Sequence, residues 1–139
     1  MQNAAVATPE VQCSANAQEV TVEDLIEGRP VIHMPPATSV RQACEVMAML
    51  GVGALPVVFK DRLLGMFTER DAITAVLAKG RIPEETMLSE VMTENVTSIG
   101  AHVKASAALE MMTENGFRHL PVVENDHVLG IVSIRDLVG

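Results

Sequence analysis

ALPVVFKDRLLGMFTERD (residues 54–71) and HLPVVENDHVLGIVSIRD (residues 119–136) are two versions of one stretch, separated by 65 positions without a gap. Over residues 41–71 and their equivalents at this offset, 13 of 31 pairs are identical. A repeat of this kind indicates units that bury their apolar faces against one another. In a chain of 139 residues, the length of one ordinary domain, the repeat predicts a single globular body built from two similar halves.

Each half contains a helix, a hairpin and a second helix. In the first half, apolar residues recur at helical spacing over 40–50, directly after a Ser-x-x-Gln capping box at 39–42. Two short apolar runs on either side of 60–62 predict a hairpin of two buried strands. Helical spacing then resumes over 72–77. The second half repeats this order until the chain ends.

Short lead-in segments precede the two halves. Residues 21–28 and 87–94 correspond loosely and predict a short helix, followed by a strand around Val31 or Val96. The amino-terminal residues are rich in Ala, Gln, Asn, Thr and Ser without periodicity, so we expect a flexible tail there. The expected organisation is a tail at 1–19, a first repeat at 20–80, a linker at 81–86 and a second repeat at 87–139.

Charge and composition exclude several classes of partner. Ten Lys and Arg against 18 Asp and Glu give a formal charge of −8, which disfavours binding to nucleic acid or to an anionic membrane surface. The longest uncharged stretch, 46–59, has 14 residues and is too short to span a bilayer. Cys13 and Cys44 form no disulfide framework, and no basic residue precedes Arg29, so a secretory signal is not expected. We therefore expect a cytoplasmic protein.

The repeated features together resemble a pair of CBS domains, the cystathionine-β-synthase repeat that forms a Bateman module. They are Leu-Pro-Val-Val, an apolar strand carrying Gly65 or Gly130, and a hydroxyl followed three residues later by Asp, and the similarity covers residues 20–139. The resemblance implies an α/β (α+β) fold of two β-α-β-β-α repeats packed about a pseudo-two-fold axis. It also implies two clefts between the repeats, which in many relatives bind adenosine-containing ligands.

The resemblance further implies a stand-alone regulatory protein that forms a homodimer and signals to an effector protein that the sequence does not identify. The expected ligand is an adenine nucleotide, AMP, ADP or ATP, with NAD and S-adenosylmethionine as further candidates. The alternative is an interaction or dimerisation module whose clefts stay empty. An enzyme, metal or redox protein is a weaker third hypothesis, because the sequence shows no catalytic arrangement and its histidines lack metal-ligand spacing. We expect no enzymatic activity and no bound metal.

The hydroxyl-Asp endings, Thr68 with Asp71 and Ser133 with Asp136, have two interpretations. From the residues alone, such a pair at a strand-to-helix junction is a reciprocal helix cap. The resemblance adds that the Asp holds the two hydroxyls of a ribose and that the hydroxyl residue lies beside the ribose or the phosphate. Both interpretations remain open at this point.

Basic residues near these endings are candidate phosphate ligands. Arg70 and Arg135 lie between the hydroxyl and the Asp, where they either bind a phosphate or pair with an acid at the surface. Arg118 and His119 precede the second Leu-Pro, and His119 is either a ligand-binding or a partly buried histidine. The candidates that follow the lead-in helices would pack against adenine: Ile32, His33, Met34, Thr97, Ser98 and Ile99. Gly53 and Ala54 indicate either that backbone comes close to a base or sugar or simply that the fold is tight there. The residues of the Leu-Pro motifs complete the candidate ligand-binding set: Leu55, Pro56, Leu120 and Pro121.

Overall fold

A computed structural model describes residues 20–138, so the expected tail at 1–19 lies outside the described residues. The elements of the first half and of the connection are α1 (Val22–Ile26), α2 (Val40–Leu50), β1 (Ala54–Phe59), β2 (Arg62–Thr68), α3 (Glu69–Asp71), a π-helix (Ala72–Leu77) and a 3₁₀-helix (Pro83–Glu85). Those of the second half are α4 (Leu88–Val91), α5 (Ala105–Asn115), β3 (His119–Glu124), β4 (His127–Ser133) and α6 (Ile134–Val138).

The two hairpins confirm the repeat in detail. β1 and β2 pair antiparallel, as do β3 and β4, and each hairpin has a register shift at the same place, after Val57 and after Val122. The two-residue turns at 60–61 and 125–126 have positive φ at both positions, as a type I′ turn requires. The capping box at 39–42 is also present and begins α2 as predicted.

The strand expected before each α-helix is reduced to a single bridge. Met34 pairs parallel with Val57, and Ile99 pairs parallel with Val122, about three residues later than predicted. No longer ladder forms here within residues 20–138. Prolines at 30, 35 and 36 flank this segment in the first half, but residues 95–103 contain none and form the same single bridge, so prolines do not account for it.

The helix after β2 also differs from the prediction. α3 lasts only three residues, and the chain continues as a π-helix over 72–77. The hydroxyl of Thr74 donates to the carbonyl of Arg70 at 2.9 Å inside this segment, which is the kind of local bond that disturbs an α-helical ladder. The face of Val76 is nevertheless buried, as its spacing indicated.

The lead-in helices are exchanged between the halves. Val22 and Ile26 of α1 are buried in the core formed by the second repeat, and the N–H of Val22 donates to the carbonyl of Val103 at 2.8 Å. Leu88 and Val91 of α4 are buried in the core of the first repeat. Such reciprocal exchange of equivalent segments is what a two-fold relation between the repeats produces.

The exchange brings the halves together as one body. β4 approaches both β1 and β2, so the two small sheets face one another between the helices. The structure therefore has the expected mixed α/β architecture, with the end of each hairpin near the lead-in segment of the other repeat.

Candidate functional site

A cleft of about 890 Å³ opens between the two repeats. We name it the Asp136 cleft. Its walls come from α1 and the segment after it, the end of α2, the starts of β1 and β3, and the junction of β4 with α6. The polar and charged residues that line it are Arg29, Glu69, Arg118, His119, Ser133, Arg135 and Asp136. The apolar lining includes Ile26, Ile32, Met47, Leu50, Ala54, Leu55, Ile73 and Ile131.

Asp136 is held by the reciprocal cap that the residues alone predict. The N–H of Ser133 donates to Oδ2 of Asp136 at 2.8 Å, and the N–H of Asp136 donates to the hydroxyl of Ser133 at 3.3 Å. The cap orients the carboxylate at the end of β4, where it lines the cleft. Capping and exposure to a ligand are therefore compatible at this position.

Arg29, which the sequence analysis did not single out, forms a bidentate ion pair with Asp136. Its two terminal nitrogens donate at 3.2 Å to Oδ2 and at 2.9 Å to Oδ1. Burial raises the pKa of the Asp136 carboxyl, but the hydrogen bonds from Arg29 and Ser133 outweigh it, and the pKa lies below its usual value. The repeat could not indicate this pair, because the lead-in segments correspond only loosely and the residue that reaches Asp71 from the second one is Thr93, not an arginine.

His119 and Glu69 lie close together beside Gly53. A Cβ added to Gly53 would lie 3.0 Å from Oε1 of Glu69 and 3.4 Å from Nε2 of His119, so a larger residue would require the exposed Glu69 side chain to shift slightly. Burial lowers the pKa of the His119 imidazole; the charge of Glu69 opposes this, and the net pKa is below its usual value. The imidazole is therefore neutral at physiological pH.

The equivalent corner at Asp71 is partly covered by the second lead-in segment, although Asp71 itself is half-buried like Asp136. Asp71 has the same reciprocal cap with Thr68, at 3.0 and 3.2 Å, and also accepts the hydroxyl of Thr93 at 3.1 Å. Backbone bonds of 3.0 and 2.8 Å join Met66 to Thr93 in both directions. Gly65 permits this approach, because a Cβ there would lie 2.5 Å from the carbonyl oxygen of Thr93.

The sequence candidates thus separate into two groups. Nine of them line the Asp136 cleft: Ile32, Gly53, Ala54, Leu55, Arg118, His119, Ser133, Arg135 and Asp136. The others are not among the residues that line it. Of these, Pro56, Leu120, Pro121 and Ile99 are buried, Met34 and Thr68 are half-buried, and His33, Arg70, Thr97 and Ser98 are exposed. Asp71 is half-buried at its own corner.

Two further observations bear on the classes of function considered. Across residues 20–138, His, Cys, Asp and Glu side chains nowhere gather in threes around a point that could hold a metal ion. In the same part of the chain, every helix is too short or too polar to cross a membrane.

Comparison with known proteins identifies the repeats. The family model described as "CBS domain" matches residues 20–78 and again residues 88–139. The CBS domain-containing protein CBSCBSPB3 of Arabidopsis thaliana is 36% identical over 127 residues, which are 91% of this chain and 22% of that protein. This chain therefore spans only about one fifth of that relative.

Solved structures show the same fold. A CBS domain protein from Burkholderia ambifaria, for which a signal-transduction role has been suggested, is 32% identical with a TM-score of 0.78, over 86% of this chain and 91% of that one. The CBS domain pair of protein MJ0100, solved with 5′-methylthioadenosine and S-adenosyl-L-methionine, is 26% identical with a TM-score of 0.75, over 85% and 92%. The family match, the repeated hairpins and the shared fold lead to one conclusion: this chain belongs to the CBS domain family and contains two CBS domains in tandem.

Proposed function

We propose that the Asp136 cleft binds an adenosine-containing ligand and that the protein is a regulatory sensor in signal transduction. The observation that carries the proposal is the Asp136 carboxylate, oriented by Ser133 at the edge of a cleft of about 890 Å³. A volume of this size suits a nucleotide, since small-molecule sites commonly have about 300–1,000 Å³. AMP, ADP and ATP are the first candidates, with NAD and S-adenosylmethionine behind them.

The chemistry of the cleft suits the three parts of a nucleotide. A carboxylate accepts both hydroxyls of a ribose, which is the role we assign to Asp136. Apolar side chains from both repeats, among them Ile32 and Ile131, offer a surface for adenine. Arg118 and Arg135 lie in the same cleft and supply guanidinium groups for a phosphate.

Adenosyl ligands in a related domain pair support the proposal. The MJ0100 pair was solved with 5′-methylthioadenosine and S-adenosyl-L-methionine, both of which contain adenosine. Because the Asp136 cleft is lined by both repeats, a bound ligand would favour one relative orientation of the repeats. An effector protein that prefers this orientation would then be controlled by the ligand through its differential affinity.

The test is calorimetric titration of the protein with AMP, ADP, ATP, NAD and S-adenosylmethionine. At least one ligand should bind, and Asp136→Ala should weaken its binding about tenfold or more, because a hydrogen bond to a charged group contributes about 1.5–3 kcal/mol. Asp71→Ala, at the partly covered corner, is the matched control and should leave the affinity within about twofold of wild type. If none of the five ligands binds, the result would instead favour an interaction module with empty clefts.

The proposal includes a second copy of the chain as a partner. Large apolar residues are exposed on α2 and the π-helix, where Met49, Ile73 and Leu77 are 76%, 59% and 64% exposed. The position equivalent to Met49 in the second repeat is Glu114, so the first repeat carries the more apolar surface. An isologous homodimer through this surface would cover it.

Sedimentation or light scattering tests the homodimer. Met49→Glu should shift the protein towards the monomer, because it places a charge in the apolar contact. Glu114→Gln, at the equivalent position, should leave the mass unchanged. A wild-type monomer at all accessible concentrations would refute this part of the proposal.

Cys44 is a free thiol, which suits the reducing cytoplasm where we place the protein.

A further inference from the structure

Arg29 connects the lead-in segment to the corner that would hold the ribose. The residue follows α1, and its N–H donates to the carbonyl of Ile26 at 3.0 Å, in a turn that includes Gly28 at a φ of +82°. Ile26 is itself buried in the second-repeat core and lines the cleft. The backbone of Arg29 is thus fixed next to the cleft, while its side chain, 46% exposed, extends to Asp136.

The guanidinium occupies the hydrogen-bonding positions that a ribose would use. A carboxylate has about four lone-pair positions. At Asp136 one is used by the N–H of Ser133 and two by Arg29. A ribose that donates two hydroxyls must therefore displace at least one of the two bonds from Arg29.

A displaced Arg29 needs a new partner, and the cleft offers few acids. Among the cleft residues, Arg29, Arg118 and Arg135 are cationic, whereas only Glu69 and Asp136 are anionic, and His119 is neutral. When a ribose takes Asp136, the best remaining partner for the released guanidinium is an anionic group on the ligand itself. A neutral nucleoside supplies no such group, so after its binding the guanidinium, 46% exposed, has only solvent and what is left of its pair with Asp136.

From this geometry we propose that Arg29 is a specificity-determining residue of the Asp136 cleft. It occupies the carboxylate in the absence of ligand, and it favours phosphorylated over neutral adenosine ligands because only the former compensate its release. The inference rests on the proposed function. It concerns one cleft alone, since the side chain that reaches Asp71 from the other lead-in segment is the uncharged Thr93.

The test compares adenosine with AMP in wild type, Arg29→Gln and Arg81→Gln. Gln keeps donors and length but removes the charge. Arg81 is the matched control, because it forms an ion pair of similar exposure with Glu90 at 3.2 Å and does not line the cleft. In Arg29→Gln the affinity for adenosine should rise about fivefold, as expected for loss of a partly exposed ion pair, while that for AMP should stay level or fall. The ratio of AMP to adenosine affinity should therefore drop at least about fivefold, and Arg81→Gln should leave it unchanged.

A measurement without ligand separates this inference from the proposed function. The titration of the Asp136 carboxyl, followed by NMR, should move to higher pH in Arg29→Gln and stay in place in Arg81→Gln. An unmoved titration would overturn the role of Arg29, whatever binds. If AMP binds the wild type but the affinity ratio is unchanged in Arg29→Gln, the inference alone fails. If neither adenosine nor AMP binds wild type or Arg29→Gln, the inference fails, and the proposed function fails only if ADP, ATP, NAD and S-adenosylmethionine also do not bind.

Discussion

Alanine at Gly65 should destabilise the fold far more than alanine at Gly130, although the two glycines are equivalent in the repeat. At Gly65 a Cβ would lie 2.5 Å from the backbone carbonyl oxygen of Thr93. At Gly130 the nearest atom would be the terminal Cδ1 of Ile26, at 3.1 Å. A side-chain methyl can rotate away, whereas the carbonyl moves only if the whole segment leaves β2.

The magnitude follows from the bonds that this movement would break. Met66 and Thr93 exchange two backbone hydrogen bonds, of 3.0 and 2.8 Å, each worth about 0.5–1.5 kcal/mol net. If the segment stays in place instead, overpacking costs about 1–3 kcal/mol. Either route lowers the free energy of unfolding by about 2 kcal/mol in Gly65→Ala. The loss in Gly130→Ala should stay below about 1 kcal/mol, because Ile26 can adjust.

Urea denaturation followed by far-UV circular dichroism provides the measurement, since the chain has no Trp and no Tyr for fluorescence. The midpoint should fall for Gly65→Ala with an unchanged slope. Equal losses in the two variants, or no loss in Gly65→Ala, would refute the close approach of the second lead-in segment to β2. The same result would also contradict the contact between the second lead-in segment and the Asp71 corner.

Three other substitutions test the helix cap, the titration of the cleft histidine and the exchange of lead-in helices. Ser39→Ala should lower the free energy of unfolding by about 1 kcal/mol through loss of the α2 cap. Ser106→Ala, on the exposed surface of α5, is the control and should change it by less than about 0.5 kcal/mol. The folded pKa of His119 lies below its unfolded value, so the free energy of unfolding of wild type should fall as pH drops below about 6.5. In the same denaturation assay, His119→Gln should show a smaller fall between pH 8 and pH 5.5. Leu88→Ala should lower the free energy of unfolding by about 2–5 kcal/mol if α4 completes the first-repeat core. Leu64, which is 37% exposed, is the comparison, and Leu64→Ala should lower it less. Equal losses would contradict the placement of α4 in that core.

Local patterns in the sequence were sufficient to predict the hairpins, the α2 helix and both reciprocal caps. These features depend on residues a few positions apart: the capping box at 39–42 and the turn at 60–61 contain the groups that form them. The exact spacing of 65 residues then predicted two equivalent halves. The shortening of the leading strand to one bridge in each half was not anticipated.

The exchange of lead-in helices, the partial cover over Asp71 and the ion pair at Asp136 were decided by the tertiary structure. Arg29 and Asp136 are 107 positions apart, and no local pattern specifies which distant segment meets a given strand end. Arg118 and His119, which replace Gly53 and Ala54, already indicated that the two corners need not be equal. Packing decided how they differ, because it brings Thr93 to one corner and Arg29 to the other. The sequence by itself determined the two units and their family, because periodicity and capping are short-range. Only the folded chain determined which lead-in residue meets each corner, because that depends on which distant segment crosses to the other repeat.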